Sequence, residues 1–144
     1  MNLEENLEEN LKNKIKKIIT FGTFDLFHIG HLNILRKCKE NGDYLIVGIS
    51  SDALNEKKGK KSVIPLKERL EIVKAIKYVD EVFIEESLEL KDEYIKKYNA
   101  NLLIMGDDWK DKFNWVSCDV LYLDRTPEIS TTELKIKIGK YYLK

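Results

Sequence analysis

Two histidines, His28 and His31, are the only ones in the chain, and they stand three residues apart in Gly22-Thr23-Phe24-Asp25-Leu26-Phe27-His28-Ile29-Gly30-His31. At a helix start that spacing puts both imidazoles on one face of the first turn. Gly30 between them carries no Cβ, so a phosphate can approach the backbone. The unpaired N–H groups of a helix start favour an anion. Imidazoles also ligate metals, but a zinc site takes a third protein ligand and no HExxH pattern occurs here. A single histidine would read as a packing residue. The pair, set around a glycine, reads as a phosphate site.

A second segment combines groups of the same chemistry: Arg125-Thr126-Pro127-Glu128-Ile129-Ser130-Thr131-Thr132. A guanidinium fork, hydroxyls and a helix start all hold phosphate oxygens. Ser130 alone reads equally well as an ordinary helix cap.

Strands and helices must alternate to bring these segments together. The pattern predicts strands over Ile15–Phe21, Tyr44–Ile49, Asp80–Ile84, Leu102–Met105 and Asp119–Leu123. Helices are expected over His31–Glu40, Leu66–Tyr78, Leu88–Tyr98 and Ser130–Ile138, with a polar, lysine-rich loop over Asp52–Ser62. This alternation predicts an α/β fold, a Rossmann-like doubly wound sheet of five parallel strands in the order 3-2-1-4-5. Ligands of such sheets lie beyond the carboxyl ends of the strands. Residues 1–14 are set apart as an N-terminal extension to a domain over 15–144. Leu3, Leu7, Leu11 and Ile15 are four apart, so they stripe one helical face. That face suits either a frayed or docked helix or a subunit contact.

Composition narrows the class. Lys+Arg and Asp+Glu number 25 each in 144 residues, so the formal net charge is zero. This speaks against broad nucleic-acid binding but allows a local basic pocket. Cys38 and Cys118 are far apart and form no CxxC pair, so buried or half-buried thiols in a reducing compartment are expected. No apolar run has the length of a membrane span and the N-terminal residues have no signal-peptide core. A cytoplasmic protein, with neither membrane nor nucleic acid among its partners, is the expectation.

The histidine element together with Arg125-Thr126 and Ile129-Ser130-Thr131-Thr132 resembles the cytidylyltransferase family. Gly22-Thr23-Phe24-Asp25 and Tyr78-Val79-Asp80-Glu81-Val82 match as well, and the likeness runs from about Ile15 to Ile138. Gly106-Asp107-Asp108-Trp109 is similar to the branch that acts on glycerol 3-phosphate. The chain departs from the pattern in having Glu128 where a glycine is common, and Lys77 where an arginine is usual in that branch.

The resemblance implies attack of a phosphorylated alcohol on the α-phosphorus of CTP. It implies that His28, His31, Lys58 and Arg125 serve the reacting phosphates. Gly22, Thr23, Phe24, Gly30, Asp108, Ser130 and Thr131 would bind the nucleotide, with Asp108 accepting from the cytosine amino group. Trp109 stands open between that site and core packing. Asp25, Lys60, Arg69 and Lys77 are expected near the second substrate, with Asp25 fixing either a hydroxyl or a backbone turn. Lys91, Lys96 and Lys97 read as helix surface. Mg²⁺ is expected to arrive with CTP, held by phosphate oxygens and water, with no metal ligand from the protein. The family also implies a homodimer, with Tyr78–Val82 and the N-terminal stripe contributing. Alternatives are phosphocholine, phosphoethanolamine or another polyol phosphate as substrate, or a CTP-binding regulator without turnover.

Overall fold

A computed structural model describes residues 2–124 and 130–143. The elements are α1 (Leu3–Lys14), β1 (Lys17–Gly22), α2 (Ile29–Glu40), β2 (Tyr44–Ser50), α3 (Asp52–Lys57), α4 (Leu66–Lys74), β3 (Glu81–Glu85), α5 (Lys91–Lys97), β4 (Leu102–Gly106), β5 (Asp119–Leu123) and α6 (Thr131–Tyr142). Short 3₁₀ turns precede α5 and follow β4. The five strands are ordered β3-β2-β1-β4-β5, and every pairing is parallel. The predicted order therefore holds.

Strand periodicity explains the layers, because successive side chains point to opposite faces. Ile18, Leu45, Val47, Ile49, Leu102 and Ile104 form one core with Leu35 and Cys38 of α2 and Val73 of α4. Ile19, Phe21, Ile46, Leu103 and Met105 form the other with Ile95 of α5 and with Phe113 and Val116 beyond β4. The central strands are apolar on both faces, as a covered parallel sheet requires. Each fully buried Leu, Ile or Val in these layers contributes about 1.5–3 kcal/mol. Gly48 lies where β2 passes under two rings: a Cβ there would come within 2.6 Å of Phe83 and 2.7 Å of Phe21.

Two expectations need correction. The segment Asp52–Ser62 is not all loop, since Asp52–Lys57 is helical. Ser51 caps it by accepting from the Leu54 N–H, and Leu54 and Asn55 are buried. The helix expected over Leu66–Tyr78 ends at Lys74, where the chain tightens into the turns Ile76 N–H to Val73 O and Val79 N–H to Ile76 O. Cys38 is buried and Cys118 half-buried, both as free thiols. α1 leaves Leu3 and Leu7 exposed. No helix among the described residues is long and apolar enough to cross a membrane.

Candidate active site

All five strands deliver their carboxyl ends to one cavity of about 780 Å³. Gly22 ends β1 and Thr23 follows it, Ser50 ends β2, Glu85 ends β3, Gly106 ends β4, and Asp124 follows β5. The helix starts at His28 and Ser130 open into the same space, as do Lys58 and Lys60.

The histidines form the N-terminal cap of α2. The Gly30 N–H donates to His28 Nδ1 at 3.0 Å, and the His28 N–H donates to His31 Nδ1 at 3.1 Å. Each bond uses the Nδ1 lone pair, so a neutral imidazole carries its proton on Nε2. The backbone of the turn thus sets the tautomer of both rings, with the proton on Nε2. The ring centroids are only 3.9 Å apart. Burial lowers the pKa of both. His31 falls to about 4, through desolvation first, then repulsion from His28, partly opposed by Asp25. Both rings are therefore neutral hydrogen-bond donors at neutral pH in the ligand-free protein.

The two phosphate-type segments meet here. Thr131 Oγ1 donates to the Asp25 carbonyl at 2.8 Å and lies 3.4 Å from His28 Nε2. Ser130 caps α6 by accepting from the Glu133 N–H. Arg125, like Glu128, lies outside the described residues.

Asp25 resolves to the backbone-turn role. Its carboxylate is buried and accepts from the Val63 and Ile64 N–H groups at 2.7 and 2.8 Å. Those bonds fix the segment after α3 that carries Lys60. Phe24 and Leu26, on either side, adopt φ of 54° and 49°. That is a left-handed conformation costly for such residues, held here by the buried carboxylate between them and by packing of Phe24 in the core. The Thr23 hydroxyl is spent on Asn55 Oδ1 at 3.0 Å.

Arg69 and Lys77 are corrections. Arg69 is fully buried away from the cavity lining. Its guanidinium donates to the carbonyls of Ile64, Thr23 and Ser50 and pairs with Asp52. It ties the ends of β1 and β2 together and commits four of its five donors to the fold. Lys77 is exposed, its ammonium 5.2 Å from the Tyr78 ring centroid, and it too is outside the cavity lining. Asp108 is exposed in the turn after β4, at the cavity's edge. Trp109 beside it both lines the cavity and packs on Phe113, with centroids 5.3 Å apart.

Lys91 is the residue that sequence reasoning missed. It is buried rather than surface, and its ammonium pairs with Glu85 at 2.8 Å. The same ammonium lies 3.8 Å from the Phe21 ring centroid and 4.5 Å from that of Phe113. Burial lowers its pKa, opposed by Glu85. The signal was its place as the first residue of α5. A cation there opposes the helix dipole and needs another reason to be present. Lys58, which lines the same cavity, is held below its ordinary pKa, at about 8, chiefly by desolvation.

With the geometry established, the comparisons are informative. A family model described as cytidylyltransferase-like matches residues 19–137. The chain belongs to the cytidylyltransferase-like family. It is 46% identical to a glycerol-3-phosphate cytidylyltransferase of Bacillus subtilis (strain 168), over 87% of this chain and 98% of that one. A glycerol-3-phosphate cytidylyltransferase of Staphylococcus aureus is 42% identical over 84% of this chain and 93% of its own length. Among solved structures, a lipopolysaccharide core biosynthesis protein from Thermoplasma volcanium GSS1 superposes with a TM-score of 0.70 at 21% identity. It covers 78% of this chain and 98% of its own length, and it supports the fold alone. The cytidylyltransferase-like match spans β1 to α6 and leaves α1 outside.

Proposed function

We propose that this chain transfers CMP from CTP to glycerol 3-phosphate, giving CDP-glycerol and pyrophosphate. The observation that carries it is a cavity lined by two imidazoles with their protons on Nε2 at one helix start, a second helix start beside them, and Lys58 and Lys91 on its wall. The near full-length similarity to glycerol-3-phosphate cytidylyltransferases supports the same substrate pair.

A phosphate monoester has a second pKa near 6 and is largely dianionic at neutral pH. Its oxygen attacks the α-phosphorus directly; a P–O bond forms there as the bond to the β-phosphate bridging oxygen breaks. No proton has to be removed from the nucleophile. The protein's work is to bring two polyanions together and to neutralise the charge that builds up in the transition state. His28 and His31 donate to the triphosphate. The α6 start adds N–H groups, and Ser130 and Thr131 border the same oxygens. Lys58, Lys60 and Lys91 offset the negative charge of the two substrates.

Mg²⁺ would accompany the triphosphate and shield its charge. The two buried cavity carboxylates are already committed, Asp25 to backbone amides and Glu85 to Lys91. Phosphate oxygens and water would be its chief ligands.

The aromatic groove also bears on the alcohol. A quaternary ammonium is recognised by a cage of rings. Here the Phe21 and Phe113 faces already hold Lys91. A polyol phosphate, which carries no cationic group, suits that wall better than phosphocholine. We further propose a cytoplasmic homodimer. β3 is an edge strand, and Tyr78–Val82 leads into it.

Pyrophosphate release with CTP, Mg²⁺ and a panel of phosphorylated alcohols tests the reading. Fastest turnover with glycerol 3-phosphate is expected. CTP binding without pyrophosphate release from any alcohol would instead make the chain a regulator.

A further inference from the structure

Ser50 and Glu85 end adjacent strands and are register partners across β2 and β3. Both are buried, and both face the cavity. One Glu85 oxygen takes the Lys91 ammonium at 2.8 Å. The other accepts from the Ser50 hydroxyl at 3.3 Å, and the same hydroxyl accepts from the Lys58 ammonium at 3.0 Å. A serine hydroxyl has one proton to give and lone pairs to receive with, so the chain Lys58–Ser50–Glu85–Lys91 satisfies every group in one direction only.

The charges along this chain do not cancel. Two ammonium groups share one carboxylate, and one of them reaches it only through a neutral hydroxyl. An isolated buried ammonium tends to lose its proton. The groups facing Lys58 are Glu85, Lys91, Lys60 and Arg69, of which only Glu85 is negative. Lys58 therefore depends on the Ser50 contact to stay charged, whereas Lys91 has the carboxylate itself.

We propose that Ser50 and Glu85 are positioning residues that divide a single carboxylate between the buried Lys91 and the half-buried Lys58, holding both ammonium groups charged at the cavity wall. Its catalytic consequence rests on the reading of the site as a cytidylyltransferase centre. The net positive charge left over is what an incoming phosphate offsets. A carboxylate for each lysine would neutralise the wall and weaken its hold on anions. One carboxylate shared through a hydroxyl fixes both side chains and leaves charge to spare.

The test is Ser50→Ala, which removes the hydroxyl with little change in volume. The lysine side chains are labelled with ¹³C beside the amine and titrated by NMR, with Lys58→Arg to assign the signal. In the parent, Lys58 should titrate near pH 8. In Ser50→Ala it should titrate at lower pH, because the uncharged form no longer loses a partner. The value of kcat/KM should fall about tenfold at neutral pH, and its alkaline limb should move to lower pH by the same interval. An unchanged Lys58 titration overturns the proposal whether or not the protein turns over. A shifted titration in a parent protein without turnover supports the positioning role and instead removes the assigned reaction.

Glu85→Gln examines the other half. It leaves Lys91 buried without its counter-charge, so a lower melting temperature is expected. The double variant Glu85→Gln/Lys91→Met removes both charges and should regain much of that temperature while remaining slow. Recovery of parental turnover in the double variant would overturn the claim that Lys91 is held for the phosphate.

Discussion

The Thr131 hydroxyl stands 3.4 Å from His28 Nε2 although 103 positions separate the two residues. That contact joins the starts of α2 and α6, and through the 2.8 Å bond to the Asp25 carbonyl it also reaches the loop after β1. The two helix starts proposed to hold phosphate, from opposite ends of the domain, thus share one hydrogen-bonded unit.

His28 has two functions that substitution can separate. His28→Ala removes both the cap and the Nε2–H, and should lower kcat by about 10²–10³-fold, the usual loss for one preorganised donor. It should also cost about 1 kcal/mol of stability through the cap. His28→Asn keeps a capping oxygen and should regain the stability while remaining slow. Steady-state kinetics beside urea denaturation check both. Normal kcat in either variant would remove His28 from the phosphate site.

His31 makes stability depend on pH. Its pKa in the folded protein is about 4, against an ordinary 6.5. Between those values the unfolded chain binds the extra proton and the folded one does not. Stability is therefore full above pH 6.5 and falls as the pH drops towards 4, by up to about 3 kcal/mol. Urea denaturation across that interval should show the decline, and His31→Asn should flatten it.

Arg69 should behave as a structural residue. Arg69→Ala leaves the carbonyls of Ile64, Thr23 and Ser50 without their donor, all around a fully buried position. A loss of about 3–5 kcal/mol is expected, the scale seen when a buried charged network is broken. Chemical denaturation measures it. A fully stable variant with a raised KM for glycerol 3-phosphate would return Arg69 to the substrate site.

The N-terminal extension offers a simpler test. Removing residues 1–14 should leave turnover unchanged, because none of the described side chains of α1 lines the cavity. Light scattering on the full chain and the truncation should show dimers in both if the β3 edge carries the assembly. A monomer after truncation would assign the contact to the exposed leucines.

The sheet is legible in the sequence because its central strands are apolar on both faces. A run such as Tyr44–Ser50 has no other stable place than a covered parallel sheet. The histidine pair is legible because its residue types and spacing have no common packing use. Arg69 and Lys91 are not legible in the same way. A lone cation on a helix reads as solvated by default, and only tertiary contacts from three separate loops bury Arg69. Lys91 did carry a local signal in its place at a helix start, but its partner Glu85 and its two aromatic neighbours come together only in three dimensions. α3 was hidden by its charge, since Asp52–Lys57 buries only Leu54 and Asn55 and has little apolar periodicity to display.

The Asp25 junction also sets an order of events in folding. β1 is the middle strand, and its partners β2 and β4 close around it from both sides. One bond that completes the cavity reaches further than any of these pairings: Thr131 reaches back 106 positions to the Asp25 carbonyl. Contacts of such separation form only after the intervening loops have closed. During synthesis the sheet can assemble while the catalytic wall is still missing its last helix. Catalytic competence then arrives as the final step of maturation, when α6 docks, so a ribosome-bound or C-terminally clipped chain would be a folded sheet without a working site.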